Sequence, residues 1–156
     1  MKITIDEIDT SIISELISDA EKPFIQIAKS LNISNSLVHQ RVSRLKQSGV
    51  IEKTEIKLSD KHLGYSSCAL CGLILNDDTQ SAKVIDLLKK IPEIVECYYV
   101  SGKYTLYVKI VSRDNDHLRE ILYERINAIK DIIRTETIIN FGTAFKRNAP
   151  IPNTAG

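Results

Sequence analysis

Tryptophan is absent from the 156 residues, methionine occurs once, and the three cysteines are too few and odd in number for a disulfide framework. A chain of this length can build its own core without staples, so free thiols point to a reducing compartment. Long apolar runs are missing as well: none approaches the roughly 18 residues of a spanning helix, and the opening Met-Lys-Ile-Thr-Ile-Asp lacks the apolar heart of a signal peptide. The expected location is the cytoplasm, with no membrane partner. Charge of one sign is also scarce, because 21 Lys and Arg face 20 Asp and Glu. That balance excludes a surface coated with one charge but leaves room for a local basic face.

Chemistry-bearing clusters are equally thin. His39, His62 and His117 lie far apart in the chain, and no glycine-rich loop is present to cradle a phosphate. Cys68 and Cys71 have the spacing of half a zinc site, yet on a strand those positions point to opposite faces. Cys97 reads as a small core hydrophobe. The expectation is a protein with no catalytic residues, no metal and no cofactor. A small metabolite-binding or enzymatic domain, whose helices only mediate protein contacts, stands as the rival reading.

What is present is an uneven distribution of charge. Residues 1–21 hold Asp6, Glu7, Asp9, Glu15, Asp19 and Glu21 against Lys2 alone, whereas residues 22–50 hold Lys22, Lys29, Arg41, Arg44 and Lys46 and no acid. Asp6 is placed to cap a first helix carrying Ile8, Ile12, Ile13, Leu16 and Ile17 on one side and ending near Glu21, before Pro23. A short second helix buries Ile27, Ala28 and Leu31. Ser34 then caps a third, in which Leu37, Val38, Val42 and Leu45 face inward and Gly49 supplies the left-handed end.

That assignment turns Asn35, Ser36, His39, Gln40, Ser43, Arg44 and Gln47 outward, every one a hydrogen-bond donor and none an anion. Two short helices around a tight turn, the second opening with small polar residues, meet the demands of a helix-turn-helix. Slender polar side chains at its leading end reach base edges, and cations behind them neutralise phosphates. Residues 34–49 lack carboxylates for that reason: a phosphate-lined groove repels them. The expected DNA contacts are Ser34, Asn35, Ser36, His39 and Gln40 at bases, Lys29, Arg41, Arg44 and Lys46 at phosphates, and Ser43 on the same face. Residues 50–59 alternate imperfectly and read as a small wing or as the strand leading out of the domain.

Beyond a junction at residues 59–65 the pattern is strand (66–75), helix (79–91), strand (94–101), strand (104–111), helix (114–129) and strand (134–141), with Gly102-Lys103 as a two-residue hairpin turn. This βαββαβ order specifies a ferredoxin-like antiparallel sheet with both helices on one face. In the first strand both sides are apolar: Ala69, Cys71, Leu73 and Leu75 on one, Cys68, Leu70 and Ile74 on the other. An uncovered apolar sheet face calls for a second copy, so a homodimer is expected. Gly102 either turns the hairpin or lets a small carboxylate approach its N–H groups. The expected fold class is α+β, divided into an N-terminal helix-turn-helix (1–58), a winged helix-turn-helix if residues 50–59 form the wing, a linker (59–65), a C-terminal ferredoxin-like domain (66–145) and a tail (146–156).

From about residue 4 to 145 the chain resembles the Lrp/AsnC family of feast/famine transcription regulators. The resemblance lies in "IDEIDTSIISELISDAEKPFIQIAKSLNISNSLVHQRVSRLKQSGVIEK", in "LGY" at the link, and in "IPEIVECYYVSGKYTLYVKI" and "RTETIINF". It implies binding to double-stranded DNA and a dimer assembled through the sheet domain, stacked further into tetramers or octamers. It also implies an amino acid or related small effector bound near Ser101, Gly102, Tyr104, Thr105, Leu106, Thr135, Glu136 and Thr137. One position departs from the family pattern: Thr105 stands where an Asp commonly follows the aromatic residue of the hairpin.

Overall fold

Residues 4–151 are described by a computed structural model of the chain. They divide into two compact units, one formed within Met1–Lys57 and Arg147–Gly156, the other by Leu58–Lys146. Each has its own apolar core.

The first unit holds α1 (Glu7–Ser18), α2 (Phe24–Leu31) and α3 (Asn35–Gln47). Asp6 caps α1 through a reciprocal capping box: its carboxylate accepts the Asp9 N–H at 2.9 Å, and the Asp9 carboxylate accepts the Asp6 N–H at 3.1 Å. Asn32 ends α2 in the left-handed conformation at φ 54°, a geometry that Asn tolerates better than most side chains. Ser34 begins α3 by accepting the Leu37 N–H at 3.1 Å. Ile12, Ile27, Ala28, Val38 and Val42 close the core between the three helices. Ile17, placed on the buried stripe of α1 by its spacing, is instead 54% exposed, because α1 stops at Ser18 and its last turn overhangs that core. No strand forms over residues 50–59, and Ile56 and Leu58 are exposed. A strand there would need a neighbour to pair with, which the described residues of the unit do not supply.

Asn148, Ala149, Pro150 and Ile151 line a groove of about 760 Å³ together with Ile13, Leu16, Ile17, Phe24 and Ile51 of the same unit.

The second unit is a four-stranded antiparallel sheet in the order β2-β3-β1-β4, built from β1 (Ser67–Leu75), β2 (Ile94–Tyr99), β3 (Leu106–Ser112) and β4 (Ile132–Ile139). Helices α4 (Ser81–Leu88) and α5 (Asn115–Glu120) cover one face, where Ala69, Cys71, Leu73, Leu106, Val108 and Ile110 meet Val84, Leu88, Leu118 and Ile121. The second helix is not α-helical to residue 129 as its pattern suggested. It widens into a π-helical stretch at Ile121–Ile126. Ile121 and Ile126 lie roughly 140° apart at 100° per residue in an α-helix but share a side when one turn takes an extra residue. Both are fully buried, and Glu120 pairs with Arg125 five residues on at 3.0 Å, as that wider turn allows.

Two further expectations are corrected. Cys97 is exposed on the edge strand β2. The hairpin is longer than two residues, because pairing stops at Tyr99 and Leu106. Between them Thr105 gives its N–H to Leu73 of β1 at 2.9 Å, and its carbonyl accepts the Val100 N–H at 3.4 Å before the turn closes.

Candidate nucleic-acid interface and ligand site

The outward side of α3 is set by its period. Ser36, Gln40, Ser43 and Gln47 follow one another at offsets of four, three and four, so they form one line opposite buried Val38, Val42 and Leu45, with His39 and Arg44 on its flanks. Nothing on this line carries negative charge. Gln47 lies 3.5 Å from the Ser43 hydroxyl, and the His39 ring meets Phe24 of α2 edge-on at 4.8 Å. Asn35 is half-buried, and its Oδ1 has no hydrogen-bond partner. Ser34 spends its oxygen on the helix cap and shares a hydrogen bond with the Ser36 hydroxyl at 3.0 Å, so its first task is structural.

The cations are not equivalent. Lys29 is exposed in the last turn of α2. Lys46 is exposed on the far flank of α3, at the rim of the groove lined by Val42 and Val50. Arg41 bonds Asp6 through Nη1, which also lies 3.3 and 3.4 Å from the two oxygens of Asp9. Its side chain is only 22% exposed. Held inward by two carboxylates, Arg41 braces α1 against α3. Arg44 bonds Asp9 through Nη2 alone and stays 43% exposed. The Asp6 carboxyl lies below its ordinary value, because the Asp9 N–H and the Arg41 guanidinium favour its anion over partial burial.

In the second unit the residues expected around an effector divide between the two faces of the sheet. Tyr104 lies on the open face, its ring over Gly72, where an added Cβ would come within 2.6 Å of the ring. Its hydroxyl donates to Glu136 at 2.7 Å, and Lys103 bonds the other oxygen of that carboxylate. These two donors, Lys103 first, draw the Glu136 carboxyl below its ordinary value, and the same bond raises the Tyr104 phenol. Arg134 stands 3.2 Å from Glu136.

On the helix side, the Thr137 hydroxyl lies 3.3 Å from the Cys71 sulfur and Thr135 lies 3.4 Å from Asn127. Leu106 is fully buried in the core. Ser101 and Gly102 are exposed at the tip. Gly102 has φ +102° with no atom near its absent side chain, so the turn alone accounts for glycine. Thr105, the position that departs from the family pattern, donates to Asp78 at 2.6 Å, a carboxylate brought from the β1–α4 connection. Sequence reading missed Asp78 because the contact joins residues 27 apart through a loop with no motif.

Cys68 and Cys71 sit on opposite faces of β1, and among the described residues no group of three or more His, Cys, Asp or Glu could hold a metal ion. No helix among them is long and apolar enough to cross a membrane.

Comparison with known proteins gives this arrangement a context. Residues 5–52 match a winged helix-turn-helix DNA-binding model, and residues 68–150 match the Lrp/AsnC ligand binding domain. The regulatory protein AsnC of Haemophilus influenzae is 33% identical over 144 residues, covering 92% of this chain and 96% of its own. The HTH-type transcriptional regulator LrpA of Pyrococcus horikoshii is 35% identical over 133 residues, covering 83% and 92%. Among solved structures, that of Escherichia coli AsnC superposes with a TM-score of 0.88 at 31% identity, over 94% of this chain and 99% of that one. A feast or famine regulatory protein from M. tuberculosis, complexed with L-methionine, superposes with a TM-score of 0.84 at 25% identity, over 96% and 100%. With a DNA-binding fold at one end, a ligand-binding fold at the other and relatives matched over nearly their whole length, the chain is a transcriptional regulator belonging to the Lrp/AsnC family.

Proposed function

We propose that this regulator reads operator DNA with the outward face of α3 and adjusts that binding to a small amino acid effector held at the Tyr104–Glu136 end of its sheet. The observation that carries the reading is the line Ser36, Gln40, Ser43 and Gln47, polar, exposed and free of carboxylates, with Arg44 beside it. Asn35, Ser36, His39, Gln40 and Ser43 contact bases, while Arg44, Lys29 and Lys46 contact phosphates. The protein acts in the cytoplasm by binding, without turnover. Gel-shift titration on the DNA upstream of its own coding region tests the DNA role, since autoregulators bind there. A retarded band that survives excess random duplex is expected, and no band even at low salt would favour the enzymatic or metabolite-binding rival.

Effector binding is supported by the clustered charges of Lys103, Arg134 and Glu136, which offer both signs to an amino acid's carboxylate and ammonium groups. The L-methionine bound by the M. tuberculosis relative agrees with such a ligand. A thermal-shift screen over the twenty amino acids should find at least one that stabilises the second unit. Failure of all twenty would remove the sensing role.

The open sheet face supports a homodimer, with further stacking to tetramers or octamers. Cys68, Leu70 and Ile74 are only half-covered there, and Ile138 beside Leu70 is 60% exposed.

A further inference from the structure

Asp9 is fully buried, yet the two arginines it binds belong to the helix that faces DNA. A brace between α1 and α3 needs only one such arginine, and Arg41 fills that role with its inward contacts to Asp6 and Asp9. Arg44 is different: one nitrogen is anchored on Asp9, the side chain is nearly half exposed, and it borders the line of Gln40, Ser43 and Gln47. A guanidinium has five N–H donors, so anchoring one nitrogen leaves others for a second anion.

We propose that Asp9 is a positioning residue for DNA recognition: it fixes Arg44 beforehand at the angle from which the guanidinium grips one phosphate, and so sets the register in which α3 meets the bases. This rests on the DNA-reading assignment above. Contacts to phosphate carry no sequence information by themselves, but they fix where the reading side chains fall. An arginine already held in its bound geometry gives up less freedom when it binds. The same carboxylate lowers the positive potential of α3, which weakens attachment to any duplex. Asp9 therefore acts in opposite senses on the two modes of binding, favouring the operator and disfavouring random DNA.

That opposition separates positioning from simple support of the fold. Full-length Asp9→Asn keeps the shape of the side chain and an acceptor for the Asp6 N–H while removing the charge. Titrated by fluorescence anisotropy, it should bind random duplex about twofold to threefold more tightly and lower the operator-to-random affinity ratio about tenfold, the scale of one mismatched base pair. A ratio held within twofold of the parent, or a loss on both duplexes by the same factor, would overturn the proposal.

Arg44→Lys covers the case in which Asp9→Asn does not fold, because position 44 is exposed and the charge is kept. Its salt slope should match the parent, while the ratio falls at least fivefold, since one ammonium group does not reproduce the fork between carboxylate and phosphate. An unchanged ratio in Arg44→Lys sinks the proposal. Parent protein that binds no duplex at low salt sinks the DNA-reading assignment and this inference with it, a result distinct from either variant's.

Discussion

Arg41 and Arg44 are three residues apart on one helix and carry the same charge, but their surroundings give them different work. Arg41→Ala strips two carboxylates of a shared partner, one of them fully buried. Removing a partner from a buried polar group costs about 1–3 kcal/mol, so the first unit should melt earlier by that amount. The slope of log affinity against log salt should stay as it was, because the two carboxylates hold Arg41 inward. Arg44→Ala should instead lower that slope by about 0.9, one phosphate's worth, and should also melt earlier, because it too leaves buried Asp9 short of a partner. The pair of variants, each followed by thermal denaturation and a salt series, checks the division; a flattened slope in Arg41→Ala would contradict it. Legibility in the sequence follows the same line. The capping by Ser34, the buried stripe and the outward polar line are matters of spacing, and spacing is local. That Arg41 turns inward depends on Asp6 and Asp9 arriving from another helix 35 and 32 residues away, which no local pattern announces.

At the scale of an element, the start of α1 depends on the ionised carboxylate of Asp6. Asp6 has its folded pKa depressed below 3.8 by the Asp9 N–H and Arg41. A depressed carboxylate stabilises the fold fully above its unfolded value, and the contribution is lost as pH falls through the folded one. The first unit should hold its helical circular dichroism unchanged from pH 7 to about 5 and loosen only below 3.8. Loss of helix between pH 7 and 5 would count against the capping box as a stabilising feature. In the sheet, Gly72 is small because the Tyr104 ring occupies the space a Cβ would take. Gly72→Ala should push that ring off Glu136, costing about 1–3 kcal/mol through overpacking and abolishing any thermal shift given by an effector. If the effector shift survives, Tyr104 is no part of the ligand site. The strands and both helix positions were legible from alternation and period. The π-helical widening was not, since Leu118, Ile121, Leu122 and Ile126 also make a passable α-helical stripe, and only packing against the sheet decides between them.

For the molecule as a whole, the proposed homodimer is built through the face of the sheet that the helices leave bare. Leu70 and Ile138 are register partners on β1 and β4 and present apolar surface beside the Lys109–Glu96 ion pair, whose carboxylate also accepts from Tyr98. Charges already paired within one copy can be covered by another without leaving an unmatched partner, whereas Leu70 and Ile138 gain about 25 cal/mol for each Å² of apolar surface withdrawn from water. A twofold contact places like positions near one another, so Ile138→Asp sets carboxylates into an apolar seam and against each other. Ile138 is 60% exposed in the single chain, so the substitution leaves the fold and its circular dichroism intact. Sedimentation equilibrium should show the mass of the smallest assembly halved. Operator affinity should fall a hundredfold or more while half-site affinity holds, because two linked reading heads bind with an effective concentration that separate ones lack. A variant that keeps the parent mass would show that the dimer, if there is one, forms through another surface, and the covered-face argument would fail with it.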